Sequence, residues 1–137
     1  MNKRSVRDTG TTGRTVLVRV DFNVPVRDGA ITDDSRIRAA LPTLNLLRDA
    51  GAKIVVCSHF GRPKGQVVEE MRLAPVRVRL SELLGTAVRD AGGPGGEQPG
   101  QVVSELAGGE ITLLENLRFD PGEEANEAEF SQHLAAL

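Results

Sequence analysis

Three apolar runs along the chain each end in a cluster of polar or basic residues. The runs lack the alternation of apolar and polar positions that marks a half-exposed strand, and such runs are typical of strands buried on both faces of a parallel sheet. The pattern predicts three such strands, the first of them central in the sheet, over residues 15–22, 53–58 and 111–114. A weaker signal predicts a short strand over residues 86–89.

A helical period of apolar residues follows the first predicted strand. We predict a helix from an N-cap at Asp33 or Asp34 to about residue 50, where Gly51 ends it. Pro42 lies inside this helix and removes a backbone hydrogen bond, so we expect a kink there. The apolar residues that share the inner face are Ile37, Ala40, Leu41, Leu44 and Leu47.

Three further helices are predicted downstream. One begins at Pro75 and ends before Gly85, and a short one covers residues 102–106. The last begins near residue 126, where Asn126 and Glu129 form a capping pair. The apolar residues on one face of this last helix are Phe130, Leu134 and Leu137.

The alternation of strands and helices predicts an α/β fold in three layers, with a Rossmann-like parallel sheet between helices on both faces. No strand follows the last helix. We therefore expect residues 1–137 to form a single domain that is incomplete at its carboxyl end. In such a domain, part of the apolar face of the last helix would lack cover.

Composition narrows the classes of function. Seventeen Lys and Arg against nineteen Asp and Glu give a formal charge of −2, which provides no global field for attracting nucleic acid or an anionic membrane. The single cysteine excludes an intramolecular disulfide, and no apolar run approaches the ~20 residues of a membrane span. Four Phe and no Trp or Tyr provide few surfaces for base stacking. We expect a cytoplasmic protein that binds neither nucleic acid nor membrane.

The polar clusters at the ends of the strands indicate where chemistry occurs. In a parallel sheet the carboxyl ends of the strands lie at the same edge, where ligands bind. The residues that this arrangement would bring together are cationic or form hydrogen bonds, and they predict a site for a small anion with phosphate and hydroxyl groups. They are Asp21, Asn23, Arg36, His59, Arg62 and Arg118.

Simpler interpretations exist for several of these residues. Residues 23–25 could serve only as a turn, and a lone His59 is more often structural than catalytic. Arg36 and Arg38 stand in the first helical turn, where the helix dipole disfavours cations, and acidic neighbours at residues 33–34 could neutralise them.

No further Cys or spaced His completes a metal site around His59. The glycine-rich residues 91–100 lack the spacing of a dinucleotide fingerprint and the lysine of a Walker loop, and we interpret them as a surface connection.

Four segments together resemble the phosphoglycerate kinase family, in the order in which that family carries them. They are residues 19–25 (RVDFNVP), 32–37 (TDDSRI), 58–63 (SHFGRP) and 113–119 (LLENLRF). The resemblance implies the N-terminal, substrate-binding half of a glycolytic phosphotransferase. That enzyme moves a phosphoryl group reversibly between 1,3-bisphosphoglycerate with ADP and 3-phosphoglycerate with ATP.

The resemblance also implies roles for individual residues. Asp21 and Asn23 would bind the hydroxyl region of the glycerate, and Arg36 would lie near the carboxylate as the catalytic residue that stabilises the transferring phosphoryl group. The non-transferred phosphate would be held by His59, Arg62 and Arg118. The substrate-binding set is Asp21, Phe22, Asn23, Arg36, His59, Phe60, Gly61, Arg62 and Arg118.

The resemblance covers only part of that family's length. The nucleotide-binding domain has no counterpart in residues 1–137, so we expect no residue here to hold the Mg-ATP or Mg-ADP that the full-length family uses, nor any other metal. The full-length family is usually monomeric. We expect this chain alone to bind substrate without turnover. The alternatives are a non-catalytic anion-binding module and a half-protein that requires a C-terminal partner.

Overall fold

A computed structural model describes residues 3–137 as a parallel sheet with helices on both faces. The strands are β1 (Thr15–Arg19), β2 (Val26–Arg27), β3 (Ala30–Ile31), β4 (Lys53–Cys57), β5 (Val88–Asp90) and β6 (Ile111–Leu113). The helices are α1 (Ser35–Asp49), α2 (Ala74–Leu84), α3 (Gln98–Ser104), α4 (Pro121–Ala125) and α5 (Ala128–Ala135). None of these helices combines the length and the apolar character needed to cross a membrane.

Four strands form the main sheet in the order β1, β4, β6, β5, and every neighbouring pair is parallel. The short strands β2 and β3 pair separately as an antiparallel hairpin. Because β1, β4 and β6 are adjacent and parallel, the loops that leave their carboxyl ends lie side by side. This confirms the predicted sheet and places the three polar clusters at one edge.

The position of β1 corrects the sequence prediction. Among residues 3–137, β1 has a strand neighbour on one side only, and Leu17 at its centre is 40% exposed. The inner strands are β4 and β6, in which every residue except Lys53 is buried. β1 also ends at Arg19 rather than at residue 22, because the chain then turns and the N–H groups of Phe22 and Asn23 donate to side chains instead of to a neighbouring strand.

Alternate residues of β4 point into two separate hydrophobic clusters. Ile54 and Val56 pack with the inner faces of α1 and α2, which form the first cluster. Val55 and Cys57 pack with residues of α3 and α5, which form the second. The three-layer architecture is therefore confirmed. Burial raises the pKa of the Cys57 thiol to about 11, so this cysteine is uncharged at neutral pH.

The two long helices agree with the sequence prediction. In α1, the residues Ile37, Leu44 and Leu47 are buried, and Pro42 lies inside the helix as expected. Gly51, just after this helix, has φ of 75°, a conformation that favours glycine. α2 ends at Gly85, whose left-handed backbone closes the helix.

The carboxyl-terminal third differs more from the prediction. α3 begins at Gln98 rather than at residue 102, because Pro99 fits the first turn of a helix as readily as it fits a loop. The short α4 was not predicted, and Asn126 is its left-handed C-terminal residue, with φ of 53°, rather than the cap of α5. The residue that precedes α5 is Glu127, whose side chain makes no capping hydrogen bond.

The apolar face of α5 has more cover than expected. Phe130 is 8% exposed and belongs to the second cluster, while Leu134 and Leu137 are half-buried against it. His133, on the same helix, is exposed. The expectation that this helix lacks cover is therefore wrong for Phe130.

Candidate functional site

The loop after β1 places Asp21 and Asn23 at the sheet edge and holds Arg36 against them. The Asp21 carboxylate accepts a hydrogen bond from the backbone N–H of Asn23 at 3.0 Å, which closes a tight turn. Arg36 donates through Nη1 to the Asp21 carboxylate at 2.9 Å and to the carbonyl oxygen of Asn23 at 3.1 Å. The turn therefore provides an ion-pair and hydrogen-bond partner for Arg36, which lies in the first turn of α1.

The first turn of α1 contains Arg36 and Arg38, and the neighbouring acids at residues 33–34 neutralise only Arg38. Arg38 pairs with Asp34 at 2.9 Å, and hydrogen bonds from Arg38 and Arg79 hold the pKa of the Asp34 carboxyl below its usual range. Asp33 accepts the backbone N–H of Ser35 at 2.8 Å. Arg36 makes its ion pair across the loop instead, at the edge of the sheet.

Two hydrogen bonds fasten the loop after β4 to the loop after β1. Ser58 Oγ accepts the backbone N–H of Phe22 at 3.0 Å, and Asn23 Oδ1 accepts the backbone N–H of Gly61 at 3.0 Å. Gly61 has φ of 62°, and a Cβ atom there would lie 2.9 Å from the sulfur of Met71. The turn that follows His59 therefore requires glycine.

The two aromatic residues predicted at the site support its loops from the core. The side chain of Phe22 is fully buried in the first cluster, and Phe60 is half-buried against the same cluster. Both rings anchor backbone that continues directly into the polar residues of the edge. Their packing fixes where those polar residues stand.

Asn116 joins the loop after β4 to the loop after β6. Its side chain is fully buried, and Oδ1 accepts the backbone N–H of Phe60 at 3.0 Å and that of Arg118 at 3.1 Å. Its Nδ2 donates to the carbonyl oxygens of Phe60 at 2.7 Å and of Met71 at 3.0 Å. One amide therefore fixes the backbone on both sides of the site.

A carboxylate from α4 holds two arginines, one at the end of β1 and one in the loop after β6. Glu123 accepts Nε–H of Arg118 at 2.9 Å on one oxygen and Nη2–H of Arg19 at 2.8 Å on the other. Burial alone would raise the pKa of the Glu123 carboxyl, but these hydrogen bonds outweigh it and hold the pKa below its usual range. The carboxylate is therefore ionised at neutral pH, and it restrains Arg118 through Nε alone.

His59 lies among these charged groups. Burial, followed by the charge of Arg118, lowers its pKa, and Arg19 acts in the same direction. Glu123, whose effect is larger than that of Arg19, and Asp21 act in the opposite direction. The imidazole is therefore neutral at neutral pH, and the positive charge around it indicates a surface suited to an anion.

Arg62 is an exposed cation of the site. Its side chain has no ion-pair or hydrogen-bond partner among residues 3–137. The other arginines of the edge are each held by a carboxylate. The described part of the chain contains no group of three His, Cys, Asp or Glu side chains that could hold a metal ion.

The sequence predicted the charged residues Asp21, Arg36, Arg62 and Arg118 at this edge, but it did not predict four residues that hold the loops and arginines in place. The supporting residues it missed are Arg19, Ser58, Asn116 and Glu123. Ser58 and Asn116 each follow closely after a strand, and this shared position was a usable signal. Glu123 was not detectable in this way, because it stands 104 positions from Arg19 and belongs to an unpredicted helix.

Comparison with known proteins identifies the family. A family model described as phosphoglycerate kinase matches residues 6–137. The crystal structure of phosphoglycerate kinase from Pyrococcus horikoshii OT3 is 34% identical, with a TM-score of 0.82, over 95% of this chain and 33% of that one. The structure of phosphoglycerate kinase from Coxiella burnetii is 32% identical, with a TM-score of 0.83, over 96% of this chain and 32% of that one. The chain spans about a third of the length of these structures, and it belongs to the phosphoglycerate kinase family.

Proposed function

We propose that this chain forms the 3-phosphoglycerate site of a phosphoglycerate kinase, which transfers a phosphoryl group reversibly between ATP and the substrate carboxylate. The observation that carries the proposal is the meeting of Arg36, His59 and Arg118 at one edge of a parallel sheet. Membership of the family supports it. The activity of the whole enzyme is part of the proposal, because the chain spans a third of its relatives' length.

The non-transferred phosphate would bind to Arg62, Arg118 and His59. Glu123 occupies only Nε of Arg118, so the two Nη groups have no partner among residues 3–137 and can donate to phosphate oxygens. Arg62 is exposed and free to move onto the same group. A neutral His59 can donate one hydrogen bond without adding charge.

The glycerate end would bind to Asp21, Asn23 and Arg36. Arg36 uses Nη1 for Asp21 and for the Asn23 carbonyl, which leaves its Nε and Nη2 for the substrate carboxylate. Asp21 is exposed and can also accept a hydrogen bond from the glycerate hydroxyl. The protein thus offers hydrogen-bonding and charged groups that suit the phosphate end and the glycerate end of the substrate.

The reaction requires no general base from this chain. In the direction that consumes ATP, the nucleophile is a carboxylate, which is already ionised at neutral pH because its pKa is near ~3.5. Catalysis then depends on in-line positioning and on neutralising charge at the phosphoryl oxygens, for which we assign Arg36. We assign none of the described residues to the Mg²⁺ that accompanies the nucleotide in this family, because they form no cluster of ligands for it.

The 137-residue chain spans only a third of the length of its structural relatives. This favours a narrower function for the chain alone, namely binding of 3-phosphoglycerate without turnover. Purified chain supplied with ADP and 1,3-bisphosphoglycerate should produce no ATP above a blank. ATP synthesis by protein free of host kinase would contradict this narrower function and support a complete catalyst.

Substitution of single arginines tests the proposed site. Arg62→Ala or Arg118→Ala should each cost roughly 1.5–3 kcal/mol of 3-phosphoglycerate binding, because each removes charged hydrogen bonds to the phosphate. Arg36→Ala should cost less in binding but should strongly depress turnover in a full-length enzyme, because its contact strengthens in the transition state.

The matched control is Arg14→Ala, which removes an exposed arginine at the opposite end of β1. NMR titration of each variant with 3-phosphoglycerate measures the affinities. Equal losses at all three site arginines, or an equal loss in the control, would contradict the assignment.

A further inference from the structure

The carboxylate of Glu123 is an unusual feature for an anion site, because a negative charge beside a phosphate should weaken its binding. Its side chain is only 7% exposed, and both of its oxygens accept hydrogen bonds from arginines. On Coulomb's law alone, removing this charge would tighten the binding of an anion. The structure gives it a different role.

We propose that Glu123 is a positioning residue of the phosphate subsite, which acts by fixing Arg118. This inference rests on the proposed function. Glu123 accepts Nε–H of Arg118 at 2.9 Å, so the plane of the guanidinium is set before any ligand arrives. A long side chain that is already ordered loses less rotamer entropy when it binds a ligand.

The second bond of Glu123 fixes the carboxylate itself. Arg19, the last residue of β1, donates to the other oxygen at 2.8 Å. Two arginines, one from the end of β1 and one from the loop after β6, thus hold one carboxylate in place, and each of its oxygens accepts a hydrogen bond. The carboxylate also offsets one of the two positive charges, which limits repulsion between Arg19 and Arg118.

The neighbouring acid provides a matched control. Glu124 carries the same charge one position along α4, but it is exposed and its oxygen lies 3.7 Å from Nε of Arg118. That separation is too long for a hydrogen bond. Glu124→Gln therefore removes a nearby negative charge without releasing Arg118.

The test compares 3-phosphoglycerate with glycerate, which lacks the phosphate. Binding of both ligands is measured by NMR titration to the unchanged 137-residue chain, to Glu123→Gln and to Glu124→Gln. We expect Glu123→Gln to bind 3-phosphoglycerate about tenfold more weakly, with glycerate binding unchanged. We expect Glu124→Gln to bind 3-phosphoglycerate equally well or more tightly.

A double-mutant cycle distinguishes positioning from a general loss of structure. If Glu123 acts through Arg118, the effect of Glu123→Gln should vanish in an Arg118→Ala background. Independent effects that add in the double variant would overturn the inference. Equal or tighter binding of 3-phosphoglycerate by Glu123→Gln would also overturn it, and so would an equal loss for glycerate.

A measurement without ligand keeps the inference separate from the proposed function. The Arg118 Nε–H resonance should be protected from solvent exchange in the unchanged chain and should lose this protection in Glu123→Gln. Unaltered protection in the variant would overturn the positioning role. Failure of the unchanged chain to bind 3-phosphoglycerate would instead overturn the proposed function, and the subsite role with it.

If Glu123→Gln does not fold, Glu123→Asp with the same measurements takes its place, because it keeps the charge but shortens the reach.

Discussion

Replacing Asn116 with alanine should remove the connection between the two loops that carry His59 and Arg118. Asn116 is fully buried, and its amide makes four hydrogen bonds with backbone groups of Phe60, Met71 and Arg118. Alanine can replace none of them. The substitution therefore leaves two N–H and two C=O groups without their side-chain partner.

The expected cost follows from those four bonds. A hydrogen bond contributes roughly 1 kcal/mol net to stability, and a buried group left without a partner costs roughly 1–3 kcal/mol. Four bonds at the lower value give about 4 kcal/mol of lost unfolding free energy. The total stability of a domain is about 5–15 kcal/mol, so this single change removes a large share of it.

Urea unfolding followed by circular dichroism measures this loss as a shift in the midpoint at constant slope. Asn45→Ala is the matched control, because its side chain is exposed and accepts one hydrogen bond, from Arg48 at 3.2 Å. The control should change stability by no more than about 0.5 kcal/mol. A loss below about 1 kcal/mol for Asn116→Ala would refute the reasoning that this amide holds the two loops together.

Two further predictions concern pH and association. Because burial and the charge of Arg118 lower the pKa of His59, the unliganded chain should lose stability as pH falls below about 6.5, and phosphate binding should raise this pKa. NMR titration with and without 3-phosphoglycerate checks this, with the exposed His133 as internal control, and equal movement of both histidines would contradict it. Since β1 has one unpaired edge within residues 3–137 and exposes Leu17, the 137-residue chain should self-associate with rising concentration, and Leu17→Lys should reduce this. Sedimentation decides the matter, and a monodisperse monomer with a sharp melt and no binding of hydrophobic dye would show that the chain closes its own core.

The sequence predicted the sheet because the relevant signal is local. A buried strand such as β4 is apolar at successive positions, and the polar residues after it mark its carboxyl end. Parallel order then brings separate clusters to one edge, so the polar residues at the strand ends are candidates for the site. Asp21, His59 and Arg118 could be found in this way without knowledge of any contact.

The remaining features depend on information that no short window contains. The order of strands in the sheet decides that β1 is an edge, and its own apolar residues do not reveal this. α4 is too short to show a helical period, and Asn126 suits a left-handed helix end as well as an N-cap. Glu123 gains its role only from the fold, which brings it to Arg19 from 104 positions away.

The two ion pairs of the site differ in exposure, and this difference matches the roles proposed for their arginines. The Arg36 and Asp21 side chains are 51% and 61% exposed, so water screens their attraction and the pair is weak. Glu123 is 7% exposed and holds Arg118 in a less screened environment. An incoming anion can therefore draw Arg36 away from Asp21 at little cost, while Arg118 keeps its partner and binds through its remaining nitrogens. A phosphate that stays in place throughout the reaction suits the fixed arginine, and a carboxylate whose charge changes as it accepts the phosphoryl group suits the arginine that can exchange partners.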